Sequence, residues 1–163
     1  MKTKTNLSID YLKLCFRQPE GLFQEIASTR ESIVPRLDYD LLIIDRDEQR
    51  IIMKVLIPDT SGQWSLGTLT LNNGNTFNGK AFFEYNNRAL YEVFSWLPGQ
   101  GPSNYITLMD CIAEDLGLQY NNCTRIDIAL DTTVNAVERI KKRKRDDDNL
   151  DMFYVATRLL TQT

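Results

Sequence analysis

The chain has 163 residues, a net charge of −3 from 19 basic and 22 acidic side chains, and no histidine. This length favours one domain, and the missing histidine excludes a Ser-His triad and a His-ligated zinc site. No apolar run approaches the roughly 20 residues of a membrane span, so we expect neither a membrane partner nor a signal peptide. Because the net charge is weakly negative, nucleic-acid binding would require a local basic patch.

The cysteines Cys15, Cys111 and Cys123 are odd in number and form no CxxC pair. Each lies among apolar or strand-like neighbours, which is typical of small buried thiols in a reducing compartment. We therefore expect a cytoplasmic protein without disulfides.

The first half of the chain is predicted to be mostly strand. Leu7–Phe16 is the first strand, and Pro19-Glu20-Gly21 starts a short helix. Residues 28–48 contain the buried run Leu41–Ile44, but Val34-Pro35 and acidic flanks favour a loop or an edge segment. Four strands follow between turn signals, the last of which could instead be a helical turn: Arg50–Ile57, Trp64–Leu71, Lys80–Tyr85 and Arg88–Phe94.

The second half is predicted to be helical around one further strand. Ser103 caps a helix that Gly117 ends, and its core stripe is Ile106, Met109, Ile112, Ala113 and Leu116. The remaining predicted elements are a strand at Asn122–Thr132 and helices at Asn135–Arg145 and Leu150–Leu160. This order indicates an α+β fold, with helices packed on one face of an antiparallel sheet.

The most unusual stretch is the strand Thr124–Thr132, whose side chains alternate between two faces. The apolar face, which we expect to be buried, carries Ile126, Ile128 and Leu130. The polar face carries Arg125, Asp127, Ala129 and Asp131. Its two carboxylates lie roughly 13 Å apart along the strand, although Asp is disfavoured in strands. Two interpretations stand: an exposed edge strand with an Arg125–Asp127 pair, or a polar platform for a phosphate or for Mg²⁺ or Mn²⁺.

A basic run follows the strand, and three aspartates end it. It consists of Arg139, Lys141, Lys142, Arg143, Lys144 and Arg145. One interpretation is a solvated helix end that the helix dipole favours. The other is a patch that contacts DNA phosphates.

Thr124-Arg125-Ile126-Asp127-Ile128-Ala129-Leu130-Asp131 resembles the TRxDxxxD signature of replication initiation factors, the rolling-circle Rep proteins of plasmids and mobile elements. Ile9–Phe16 resembles their IDYLKLxF opening, and Asp148–Arg158 resembles the segment after the Asp strand. The resemblance covers most of the chain. It implies a ferredoxin-like or RNA-recognition-like sheet in a protein that binds an origin, where a tyrosine nicks DNA with the help of a divalent metal.

Carried over by position, the resemblance implies that Asp127 and Asp131 hold the Mg²⁺ or Mn²⁺, and that Arg125 orients a carboxylate or contacts phosphate. Glu84 is a third metal candidate on strand chemistry alone. The chain departs from the family because no tyrosine lies in an RxYxK-like motif, and Tyr154 is only a weak candidate for the nucleophile. We therefore expect residues 1–163 to be a single Rep-like N-terminal domain, either a fragment or a truncated relative, that does not nick DNA.

Two functions remain open. One is the DNA-binding and metal-binding part of a rolling-circle initiator, with origin DNA as its partner and a homodimer left open. The other is a non-catalytic interaction module that kept the Rep fold and binds a partner protein. DNA binding through phosphates weakens steeply with salt, whereas an apolar protein interface does not, so salt dependence distinguishes the two.

Overall fold

The computed structural model describes residues 5–59, 62–94 and 106–132. Within these ranges the strands are β1 (Thr5–Arg17), β2 (Ile33–Pro35), β3 (Asp40–Arg46), β4 (Arg50–Asp59), β5 (Gly62–Asn72), β6 (Lys80–Tyr85) and β7 (Gln119–Thr132). The α-helices are α1 (Leu22–Ser28), α2 (Asn87–Phe94) and α3 (Ile106–Asp115), and a short 3-10 helix spans Phe77–Gly79. None of the helices in this described part is long and apolar enough to cross a membrane.

The seven strands form one sheet in the order β2-β3-β4-β5-β6-β1-β7, and every neighbouring pair is antiparallel. From β2 to β6 the chain runs as a meander, whereas β1 lies between β6 and β7. Lys13 of β1 is therefore opposite Glu84 of β6 on one side and Arg125 of β7 on the other. The predicted α+β class with an antiparallel sheet is confirmed.

The hydrophobic core lies between one face of the sheet and the three helices. The strands contribute alternate residues, among them Leu12, Phe16, Met53, Val55, Leu69, Leu71 and Phe83. The helices contribute Leu22, Phe23, Ile26, Ala89, Leu90, Met109, Ile112 and Ala113. Because these residues belong to a single cluster, the helices cover the same face, and the predicted role of the α3 stripe is confirmed for Met109, Ile112, Ala113 and Leu116.

Residue 67 of β5 must be glycine because the neighbouring strand passes very close to it. A Cβ atom on Gly67 would overlap the carbonyl oxygen of Glu84, and it would lie 2.7 Å from Cζ of Phe83 and 3.0 Å from Cα of Tyr85. The ring of Phe83 fills the space that a side chain would need. This contact fixes how tightly β5 and β6 approach each other.

The prediction of a strand at Arg88–Phe94 is wrong, because this segment forms helix α2. Asn86, predicted to form a hairpin turn with Asn87, instead caps this helix. Its Oδ1 accepts a hydrogen bond from the backbone N–H of Ala89 at 2.8 Å, and its carbonyl accepts one from Leu90 at 3.0 Å. An asparagine at this position satisfies an N–H group that the first helical turn leaves unpaired.

The segment 28–48, for which a loop or an edge segment was favoured, contains β2 and β3. β2 has three residues, forms an edge of the sheet and ends in Pro35, which is tolerated at an edge because proline has no N–H to donate. β3 is an interior strand in which Leu41 is fully buried.

Several other expectations have mixed outcomes. Cys15 is buried as expected, but Cys111 and Cys123 are exposed, so the expectation of buried thiols is wrong for these two. Ser103 and the two helices predicted after residue 134 lie outside the described residues.

Candidate functional site

The strand that carries the Rep-like signature lies within β7, at one edge of the sheet. Ile126 is 48% exposed and Ile128 is 52% exposed, so the expected burial is wrong for these two residues. The side chain of Leu130 is not described. The faces themselves were assigned correctly, since Ile126 lies opposite the buried Leu12. Among the described strands β7 is the outermost, which leaves the two isoleucines exposed and outside the core cluster.

The polar face of β7 carries an ion pair between Arg125 and Asp127. Nε and Nη2 of Arg125 donate hydrogen bonds to the two carboxylate oxygens of Asp127 at 3.1 and 2.6 Å. This bidentate geometry is the strong form of an arginine–carboxylate contact, and it holds the pKa of Asp127 below its usual value. Both side chains remain accessible, at 60% and 43% exposure. The first interpretation of this strand, an exposed edge with this pair, therefore describes it correctly.

Tyr11 of β1 lies beside this pair, directly opposite Asp127 in the register. The guanidinium carbon of Arg125 is 4.5 Å from the centre of the Tyr11 ring, which is a cation–π contact. Partial burial and a hydrogen bond from its hydroxyl to Glu84 raise the pKa of Tyr11 to about 12. Tyr11 is therefore a neutral phenol at pH 7, and its hydroxyl connects the β7 pair to β6.

A second cation–aromatic contact lies on the same face, one strand further in. Nζ of Lys13 is 5.4 Å from the centre of the Phe82 ring and 4.0 Å from Oε2 of Glu84. Phe82 in turn contacts the exposed ring of Phe77 edge-on, with ring centres 5.8 Å apart.

These side chains form one group on the sheet face opposite to the one that the three described helices cover. We name it the open-face cluster; it consists of Tyr11, Lys13, Phe82, Glu84, Arg125 and Asp127. The cluster contains two cations, two carboxylates and two aromatic rings, supplied by three adjacent strands. A flat polar face of this kind can contact an extended, charged and partly aromatic ligand.

The structure brings together three of the predicted site residues, Glu84, Arg125 and Asp127. The backbone of Asp131 pairs with Asn6 further along the same strands, and its side chain is not described. The basic run Arg139–Arg145 and Tyr154 lie outside the described residues. Sequence reasoning missed Tyr11, Lys13 and Phe82. The signal for the first two was the alternation of Tyr11 and Lys13 with Leu12 and Leu14 in β1.

A divalent metal at the open-face cluster would compete with existing contacts of the carboxylates. Its two carboxylates already have partners, because Asp127 binds Arg125 and Glu84 contacts Lys13 and Tyr11. Within residues 5–59, 62–94 and 106–132, no group of three or more His, Cys, Asp or Glu side chains could hold a metal ion. Hard cations require six or more oxygen ligands, some of them water.

A cavity of about 390 Å³ lies between α3 and the strands and is lined by Phe16, Tyr85, Met109, Tyr120 and others. The charged groups that line it are the carboxylates of Asp110 and Glu114. Burial raises the pKa of Tyr85, and Asp110 adds to this effect. Because its charged lining is acidic, this cavity disfavours phosphate, and the open-face cluster is the better candidate for a nucleic acid.

Comparison of the chain with family models, curated proteins and solved structures finds no match.

Proposed function

We propose that the protein binds single-stranded nucleic acid on the open face of its sheet, as the DNA-binding part of a rolling-circle replication initiator. The observation that carries the proposal is the pair of cation–aromatic contacts on that face, Arg125 over Tyr11 and Lys13 over Phe82. Single-strand-binding surfaces combine these two elements, because bases stack on aromatic rings and cations follow the phosphates.

Both cation–aromatic contacts of the open-face cluster are suited to binding a single strand. Arg125 is 60% exposed, so its guanidinium can leave the Tyr11 ring for a phosphate and free the ring for a base. Phe82 lies opposite Cys15, four residues along β1 from Tyr11, which separates the rings by roughly 13 Å along the strands. Two rings at this spacing would stack on different bases of one strand.

The strand order supports the proposal. The strands β5-β6-β1-β7 are adjacent in that order, with α1 between β1 and β5 in the chain and α3 between β6 and β7. We take this order as support for a ferredoxin-like β-α-β-β-α-β sheet, to which β2, β3 and β4 would be additions. In RNA-recognition sheets of this kind the stacking aromatics lie on the sheet face, and Tyr11 and Phe82 are on the two central strands.

A divalent cation is the second part of the proposal. Asp127 and Glu84 are the ligand candidates on the open face, and Asp131 is the third from the sequence. In such initiators the metal supplies polarisation of a phosphate. Arg125 uses one lone pair of each carboxylate oxygen of Asp127 and repels a second cation. Cation binding at Asp127 would therefore weaken the ion pair and favour release of the arginine toward the nucleic acid.

The experiment is a binding titration of a fluorescent single-stranded oligonucleotide, with Tyr11→Leu and Phe82→Leu as the tests. Tyr120→Leu is the matched control. Tyr120 is also exposed, but it contacts Phe16 on the opposite face of the sheet. Loss of one stacked base costs about 1–3 kcal/mol, so we expect each test variant to bind about 5- to 150-fold more weakly.

The control should bind like the parent, and the affinity should fall steeply with salt. Equal affinities of Tyr11→Leu and Tyr120→Leu would refute the use of the open face. Strong binding that does not change with salt would refute the phosphate contacts, and absence of binding would favour the alternative of a protein partner.

A further inference from the structure

The two edges of the sheet are built differently. At one edge, β2 has three residues and ends in a proline, which blocks the addition of another strand. At the other edge, β7 has 14 residues and pairs with β1 on one side. In the described ranges no strand lies on its other side. A long edge strand with half-exposed isoleucines is a template for pairing with another strand.

We propose that β7 pairs antiparallel with β7 of a second copy of this chain, around a two-fold axis at Ile126. This interface shares Arg125 and Asp127 with the open-face cluster. It does not use the rings of Tyr11 and Phe82, so the association state and the oligonucleotide binding of the ring variants are separate tests. The axis places Ile126 opposite the partner's Ile126, and it places Arg125 opposite the partner's Asp127.

Charge complementarity favours a second copy of this chain as the partner, and it favours this register. In an antiparallel pair, residues directly opposite each other share a face, so the axis must keep polar residues opposite polar ones. An axis at Asp127 would place two Asp127 carboxylates against each other, which is repulsive. An axis at Ile126 instead joins the two existing Arg125–Asp127 pairs into a ring of four alternating charges, with the isoleucines paired on the other face.

The shape of β7 allows this contact and limits its length. Two shifts of the β1–β7 ladder flank the proposed axis: one leaves Thr124 of β7 without a partner, and the other, between Ile128 and Asp127, comes from the extra residue Asp10 in β1. β7 itself has no inserted residue from Arg125 onward and is regular in this sense. The central pairs of the proposed interface fall in that regular part. Because few residues pair, the dimer should form reversibly and depend on concentration, as small interfaces do.

The first test measures the association state by sedimentation velocity over a concentration series up to about 100 μM, a range suited to a small transient interface. The full chain should shift from monomer to dimer. Ile126→Lys should remain monomeric, because it places like charges opposite each other at the axis. Ile44→Lys is the matched control, since Ile44 is 53% exposed on interior strand β3, and it should dimerise like the parent.

Charge reversal tests the pairing itself. Arg125→Asp and Asp127→Arg should each abolish the dimer, and the double variant should restore it. A parent chain that stays monomeric at about 100 μM would overturn the proposal. A dimer that Ile126→Lys leaves intact would also overturn it. Near-ultraviolet circular dichroism checks that each variant remains folded.

Disulfide trapping tests the register. Opposite residues in an antiparallel pair have Cα atoms about 4.5–5.5 Å apart, which a disulfide can bridge. With the exposed Cys111 and Cys123 changed to Ser, Ile126→Cys should form a covalent dimer on mild oxidation, and Ile128→Cys should not. Crosslinking through Ile128→Cys instead would overturn the axis at Ile126.

Discussion

Gly67→Ala is the sharpest test of the packing that supports the open face. The added methyl group would overlap the carbonyl oxygen of Glu84 and lie 2.7 Å from Cζ of Phe83. The first of these atoms belongs to the backbone, so a side-chain rotation cannot relieve the overlap. β5 and β6 must move apart, and this displaces Glu84 and, through the same strand, Phe82.

The magnitude follows from this geometry. Overpacking a well-packed core costs about 1–3 kcal/mol, and we expect the upper end because the backbone must shift. For a chain of this length, about 3 kcal/mol lowers the melting temperature by about 6–12 °C. Urea denaturation gives the free energy of unfolding, and a thermal melt followed by far-ultraviolet circular dichroism gives the shift.

Gly74→Ala is the matched control, because a Cβ there meets nothing within 4 Å. Surface substitutions of this kind usually change stability by less than about 0.5 kcal/mol. If Gly67→Ala and Gly74→Ala melt at the same temperature, the close approach of β5 and β6 at Gly67 is refuted. Because β6 carries part of the open-face cluster, Gly67→Ala should also weaken binding of the single-stranded oligonucleotide.

Four further predictions concern other parts of the molecule. Tyr39→Phe removes the 2.6 Å hydrogen bond from the Tyr39 hydroxyl to Asp115, and it should cost about 1 kcal/mol; a higher melting temperature would contradict this. Millimolar Mn²⁺ should raise the melting temperature of the parent and of Asp45→Asn but not of Asp127→Asn, as a ligand of the native state must; an unchanged parent melt would refute the metal role. The pKa of Asp127 in the native state is below its usual value. The ionised Asp127 carboxylate therefore stabilises the native state above its unfolded pKa of about 4, and this contribution is lost as the pH falls through the lower native pKa. The stability difference between the parent and Asp127→Asn should therefore shrink under acid, and a constant difference from neutral pH to pH 2 would refute this. Incubation of the chain with supercoiled plasmid or single-stranded origin DNA and Mg²⁺ or Mn²⁺ should give no covalent protein–DNA adduct. Formation of an adduct that Tyr154→Phe abolishes would show that the chain is a nickase.

Elements with a clear local pattern could be predicted from the sequence. Lys80–Tyr85 is a short run rich in aromatic residues between two turn signals, and β6 has those bounds. Arg88–Phe94 was predicted as a strand from a similar short run, but the decisive signal there is the capping side chain of Asn86. Asparagine is common both in turns and at the N-caps of helices. Only the geometry of the neighbouring strand distinguishes these two roles.

The candidate site could be predicted only in part, because it depends on strand order. Arg125 and Asp127 were identified from one strand, and Glu84 from the chemistry of another. Tyr11 joins them only because β1 lies between β6 and β7, an arrangement that no local pattern encodes. The exposure of Ile126 has the same origin, since strand alternation gives the face of a residue but not its distance from the sheet edge.

The central position of β1 also has a consequence for synthesis on the ribosome. β1 is synthesised well before its partner β7, because Cys15 and its contact Asn121 are 106 positions apart. Because ribosomes add about 5–20 residues per second, β7 is synthesised roughly 5–20 s after β1. During this time its β7-facing edge is unpaired and its apolar residues are available to other chains. Nascent chains of this protein should therefore depend on chaperones until β7 has emerged.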